Sequence, residues 1–111
     1  MIGESGQERL KQAHAAVVGI GGVGSFVVEA LARAGVGTLT LIDHDRIDIT
    51  NLNRQLHATR RTIGQLKVEA MRQRIMDIDP ALEVIAKADF ILPENVETLL
   101  DAPYDYLIDA C

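Results

Sequence analysis

Apolar residues along this chain alternate between two rhythms. Short continuous runs, Ala15 to Ile20, Thr38 to Ile42, Glu83 to Ala88 and Asp105 to Asp109, have the length and unbroken character of buried parallel strands. Between them the spacing becomes helical. Val27, Val28, Leu31 and Ala32 mark a helix from about Gly22 to Ala34, which Gly35-Val36-Gly37 ends. Leu66, Val68, Met71, Ile75 and Ile78 mark another over Gln65 to Asp77, stopped by Asp79-Pro80. Glu4 to Gln12, with Leu10 as its one large apolar residue, reads as a solvated leading helix, and Pro93 opens a last helix continuing to Leu100. Strand and helix in strict alternation predict an α/β fold: a Rossmann-like three-layer sandwich on a mostly parallel sheet with right-handed crossovers.

One segment breaks the rhythm. Arg46 to Gly64 is a polar stretch of nineteen residues without helical or strand periodicity. That exceeds the usual strand-to-helix loop, so it implies a function or a short helix of its own.

The first strand runs into four glycines within six residues, GIGGVG at 19 to 24, and a helical pattern follows at once. Gly19, Gly21 and Gly24 satisfy the dinucleotide fingerprint, and Asp43 stands at the end of the second strand, where a ribose-binding acid belongs. In that fingerprint the first glycine makes the tight turn, the second admits phosphate to the backbone and the third packs helix on strand. Asp45, two residues on, points to the same side of an extended chain, where it could orient the loop or assist a metal. The fingerprint does not choose among nucleotides. An acid at 43 disfavours a 2′-phosphate, so NADP fits least.

The polar stretch sharpens the choice. It offers Asn51, Asn53, Arg54 and Gln55, and Lys67 follows on the next helix. A nicotinamide site has little use for a second set of cations, whereas a triphosphate must be neutralised before an anionic nucleophile can approach. Two unit charges 4 Å apart repel by about 1 kcal/mol in water and about 4 kcal/mol at an effective dielectric near 20. Arg54, Lys67 and a magnesium ion are the expected remedy.

Composition narrows the setting. The chain has 111 residues, enough for one domain, with 48% apolar residues and a net charge of −5 that argues against a dedicated nucleic-acid module. No run approaches a membrane span, and the single cysteine, Cys111, forms no internal disulfide, which fits a cytoplasmic protein. Four strands where a doubly wound domain usually has five or six, with the last running to the chain end, predict the N-terminal part of a longer domain.

The segments GIGGVGS (19 to 25), LIDHD (41 to 45), TNLNRQ (50 to 55) and GQLK (64 to 67) together resemble the ubiquitin-activating, ThiF-type adenylyltransferase family, over essentially the whole chain. The forms IGGVGS, IDHDRI and TNLNRQLHA are most similar to the branch that dehydrates threonylcarbamoyladenosine on tRNA. The resemblance implies an enzyme that binds ATP with magnesium and adenylates a carboxylate. The substrate would be the threonylcarbamoyl group on tRNA or, alternatively, the terminal glycine of a ubiquitin-like sulfur carrier. It also implies a homodimer. By it, Gly22 and its neighbours hold phosphates, Asp43 the ribose, Asn51 and Arg54 the triphosphate, Gln55 the loop, and Lys67 the charge that develops. The family's metal-binding aspartate would fall one position past Cys111, so this chain contains no assigned metal ligand, and the family's leading arginine segment is absent and not replaced by Arg9. Two other readings remain open: an NAD-dependent oxidoreductase, and a catalytically silent nucleotide-binding module.

His57 reads as a loop-packing residue. Arg60-Arg61 reads as a solvated basic turn that could meet RNA phosphate.

Overall fold

The computed structural model describes residues 4–89, 94–95 and 104–111. In chain order the elements are α1 (Glu4–Gln12), β1 (His14–Val18), α2 (Gly22–Ala34), β2 (Thr38–Ile42), a 3-10 turn (Ile49–Asn51), α3 (Lys67–Ile78), β3 (Glu83–Lys87) and β4 (Tyr106–Asp109). The helix expected from Pro93 to Leu100 lies outside the described residues, apart from a turn at 94–95.

The strands form one parallel sheet in the order β3-β2-β1-β4. This is the α/β, Rossmann-like arrangement expected. Ala15 and Val17 of β1 and Leu39 and Leu41 of β2 pack with Val28 and Ala32 of α2 and with Val68, Met71 and Ile75 of α3. Both helices therefore cover one face of the sheet. The chain steps from β1 to β2 to β3 in one direction, then jumps back across β1 to β4. The carboxyl ends of β1 and β4 thus flank the reversal of strand order, the place where open α/β sheets hold ligands.

Element ends differ by a few residues from the sequence expectation, for identifiable reasons. β1 stops at Val18 rather than Ile20 because Gly19 takes φ +90° and turns the chain, although its amide still reaches the Ile42 carbonyl at 2.9 Å. α3 starts at Lys67 because Gln65 and Leu66 are drawn into pairing with Ile47 and Arg46. That pairing closes the base of the polar stretch, and Ile47, Ala58 and Ala70 give it a small apolar centre of its own.

Candidate functional site

Gly19 and Gly24 carry the local geometry of the turn after β1. Gly19 holds a positive φ that other residues rarely adopt, and a Cβ on Gly24 would run into the Gly19 carbonyl oxygen. The Ser25 amide closes on the Gly21 carbonyl at 2.9 Å, but among the described residues no protein acceptor faces the amides of Gly21 to Gly24. These are the unpaired donors of the first helical turn, aligned with the positive end of the α2 dipole. They can take an anion.

A cleft of about 380 Å³ opens beside this turn, lined by Gly19, Gly21, Asp43, His44, Asp45 and Lys67, together with Asp89, Ala110 and Cys111. That volume lies within the range of small-molecule sites. Asp43 does more there than a ribose acceptor would require. Its carboxylate accepts the Ile20 amide at 2.6 Å and the Asp45 amide at 2.7 Å, tying the end of β2 to the glycine turn. Asp45 pairs with His44 at 3.0 Å and with the Lys67 ammonium at 3.9 Å. Lys67 is 93% buried, at the first position of α3, and so brings a cation to the cleft wall.

The other expected residues lie along the polar stretch, which folds over the glycine turn. The Leu56 amide donates to the Ser25 hydroxyl at 3.3 Å, and that hydroxyl donates to the Gly22 carbonyl at 3.1 Å. The Gln55 amide nitrogen stands 3.9 Å from where a Cβ on Gly21 would sit, and the Arg54 carbonyl 3.7 Å from the same point on Gly22. The Arg54 guanidinium itself is exposed and donates to the Thr50 carbonyl at 2.8 Å. Asn51 is buried, and its side-chain oxygen accepts the Asp48 amide at 2.8 Å within a capping box. Asn53 is exposed. The cleft thus gathers Gly19, Gly21, Asp43, Asp45 and Lys67. Gln55 lies beside Gly21 and the Arg54 backbone beside Gly22, outside the cleft lining, while Asn51 and the Arg54 head group are engaged within their own loop.

Sequence reasoning did not anticipate two residues of the cleft. Asp89 and Cys111 come to the cleft from strand ends far away in the chain. Cys111 is exposed, and partial desolvation, followed by the nearby Asp109 and Asp43 carboxylates, pushes its thiol up, so it is a poor nucleophile at neutral pH. His57, read as loop packing, is buried and bonds the Ile20 carbonyl at 2.6 Å. Burial lowers its pKa, as do the charges of Lys67 and Arg74; the Ile20 bond and Asp43 oppose them.

Asp43, His44 and Asp45 bring ligand-type atoms within 4.8 Å of one another. Asp43 already accepts two backbone amides and Asp45 pairs with His44 and Lys67, which makes this trio a poor cage for a hard cation that wants several free oxygens.

Residues 1–111 match the ThiF family. The chain belongs to that family. Within it, the chain is 55% identical over 109 residues to tRNA threonylcarbamoyladenosine dehydratase of Bacillus subtilis, covering 98% of this chain and 43% of that protein. It is 38% identical over 109 residues to the sulfur carrier protein adenylyltransferase of Thermus thermophilus, covering 98% of this chain and 40% of that one. Among solved structures it resembles Escherichia coli tRNA N6-threonylcarbamoyladenosine dehydratase in complex with ATP, with TM-score 0.96 and 48% identity over 98% of this chain and 45% of the other. The chain thus spans less than half the length of these ThiF-family relatives. No helix among the described residues is long and apolar enough to cross a membrane.

Proposed function

We propose that this chain is the ATP-binding, N-terminal part of a ThiF-type domain that adenylates a carboxylate, and that the carboxylate is the threonylcarbamoyl group on a tRNA adenosine. One observation carries the reading. Gly21, whose amide has no acceptor among the described residues, and the buried Lys67 line the same cleft at the start of α2, a combination suited to a polyphosphate. The greater identity to the dehydratase than to the sulfur-carrier enzyme favours the tRNA substrate.

In this reading the glycine turn takes phosphate oxygens and Asp43 the ribose hydroxyls. Lys67 stabilises charge as a carboxylate oxygen bonds to the α-phosphorus and the bond to pyrophosphate breaks. A nucleophilic atom of the carbamoyl group then bonds to the acyl carbon of the resulting adenylate, so that the ring closes as AMP leaves and the attacking group gives up its proton. Arg54 releases the Thr50 carbonyl and turns to the triphosphate when nucleotide arrives; Asn51 and Gln55 hold the loop and its rim against the nucleotide. Asp43, Asp45 and Asp89 outnumber the one ammonium in the cleft, so a divalent cation, Mg2+, is required to neutralise a triphosphate there. Its carboxylate ligand is expected just past Cys111. The parent enzyme acts as a cytoplasmic homodimer of the ligase type.

The test is pyrophosphate release from ATP by the full-length protein, offered tRNA bearing threonylcarbamoyladenosine or a ubiquitin-like sulfur carrier. Release with the tRNA alone supports the reading, and release with the carrier alone replaces the substrate. Background release with both supports a silent nucleotide-binding module, and tighter binding of NAD than of an ATP analogue would favour an oxidoreductase.

A further inference from the structure

The peptide groups on either side of Ile20 lie at the centre of the glycine turn and are gripped from two directions. The Ile20 amide donates to Asp43 at 2.6 Å from the end of β2. The Ile20 carbonyl receives the His57 ring at 2.6 Å from the long polar connection, thirty-seven residues away in sequence. A carbonyl can only accept, so Nε2 of His57 carries the proton and Nδ1 is a bare lone pair. That Nδ1 is buried with no partner among the described residues. An orphaned buried acceptor costs free energy. The ring therefore sits where it does for the sake of its other nitrogen.

The consequence follows from peptide planarity. No cis peptide occurs among the described residues, and in a trans peptide the N–H points opposite to the C=O. Holding the Ile20 carbonyl toward His57 aims the Gly21 amide the other way, and Gly21 lines the cleft. Holding the Ile20 amide on Asp43 likewise orients the Gly19 carbonyl, against which Gly24 packs without a side chain. Glycine-rich backbone has wide conformational freedom, so its donors bind an anion well only if something else pins them.

We propose that His57 is a positioning residue for the nucleotide cradle: through Nε2–H it locks the Ile20–Gly21 peptide and so presents the Gly21 amide to phosphate. The assignment rests on the nucleotide reading above for its ligand alone. His57→Phe keeps the ring volume and removes the donor, whereas His57→Gln keeps an N–H donor of comparable reach. With the full-length protein and ATP as probe, losing one such hydrogen bond raises Kd and the KM for ATP about tenfold in His57→Phe, with kcat changed less than about threefold. His57→Gln returns Kd to within about threefold of the unsubstituted value. In ligand-free protein the Ile20 amide, bonded to Asp43 in the same turn, exchanges with solvent faster in His57→Phe than in His57→Gln.

Equal ATP affinity in the phenylalanine variant, or a glutamine variant no better than it, overturns the proposal. So does a nitrogen NMR spectrum of the unsubstituted protein with the neutral His57 proton on Nδ1, a result that needs no variant to fold. If the unsubstituted protein fails to bind ATP at all, the proposed function falls, and Ile20 exchange still decides the clamp: unchanged exchange in His57→Phe overturns it, faster exchange supports it.

Discussion

The glycine turn and the polar connection meet over one cleft and are built in opposite ways. The turn from Gly19 to Gly24 is shaped by what is missing: no Cβ at Gly24, where the Gly19 carbonyl passes, and no penalty for a positive φ at Gly19. The connection from Arg46 to Leu66 contains one short 3-10 turn and a series of backbone turn bonds, and polar side chains bonded to backbone add to these and tie it to the glycine turn. Asn51 receives Asp48, Arg54 grips Thr50, Thr62 reaches His57, and His57 reaches across to Ile20. A turn of the first kind is damaged by adding atoms, a loop of the second kind by removing polar ones. Asp43 and Lys67 stand where the two regions join.

That contrast breaks if the wrong class of substitution proves harmless. The largest effect is expected for Lys67→Ala, which removes the buried cation: pyrophosphate release in the full-length enzyme falls about 10²–10³-fold, as on loss of one preorganised charge-stabilising group. Near-normal turnover would remove Lys67 from the chemistry. Arg54→Ala should cost about a hundredfold in turnover while leaving the melting temperature of the ligand-free protein nearly unchanged, because its head group is solvent-facing. A loss of stability without loss of turnover would make Arg54 a loop residue only.

Gly24→Ala should destabilise by about 1–3 kcal/mol in denaturant unfolding, since one methyl cannot fit against the Gly19 carbonyl. An unchanged midpoint would mean that the turn has room to relax. Asp43→Asn keeps the shape but weakens two charge-assisted bonds to the Ile20 and Asp45 amides, and it should raise the Kd for ATP by about tenfold, measured by calorimetry.

The smallest effect is in the pH dependence. His57 is held below its ordinary range, so the unfolded chain takes up a proton first as pH falls. Stability is therefore full above pH ~6.5 and declines below it until the folded-state histidine also titrates. Glu29, lowered chiefly by its 2.6 Å bond to Arg74, adds a second decline below the ordinary glutamate range. His57→Gln should flatten the first decline and leave the second, as read from melting temperatures across pH 4–8.

The residue pattern was sufficient for the glycine turn, the second strand, α2 with its stop at Gly35, and the acid at Asp43, because each rests on the chemistry of neighbouring residues. Short continuous apolar runs, period-3.6 spacing, a glycine run and a strand-end carboxylate are local signals. The place of Lys67 near the start of a helix was also legible in the apolar spacing, within two residues of the observed start of α3, but its burial at the cleft wall was not. The order β3-β2-β1-β4, the arrival of Asp89 and Cys111 at the cleft, and the grip of His57 on Ile20 were not. Those depend on which strands become neighbours and on a bond spanning thirty-seven residues, and no local pattern encodes a partner that far away. His57 and Asn51 resemble any other polar loop residue until the fold buries them. Burial is what turns an ordinary hydrogen bond into one the molecule cannot replace with water.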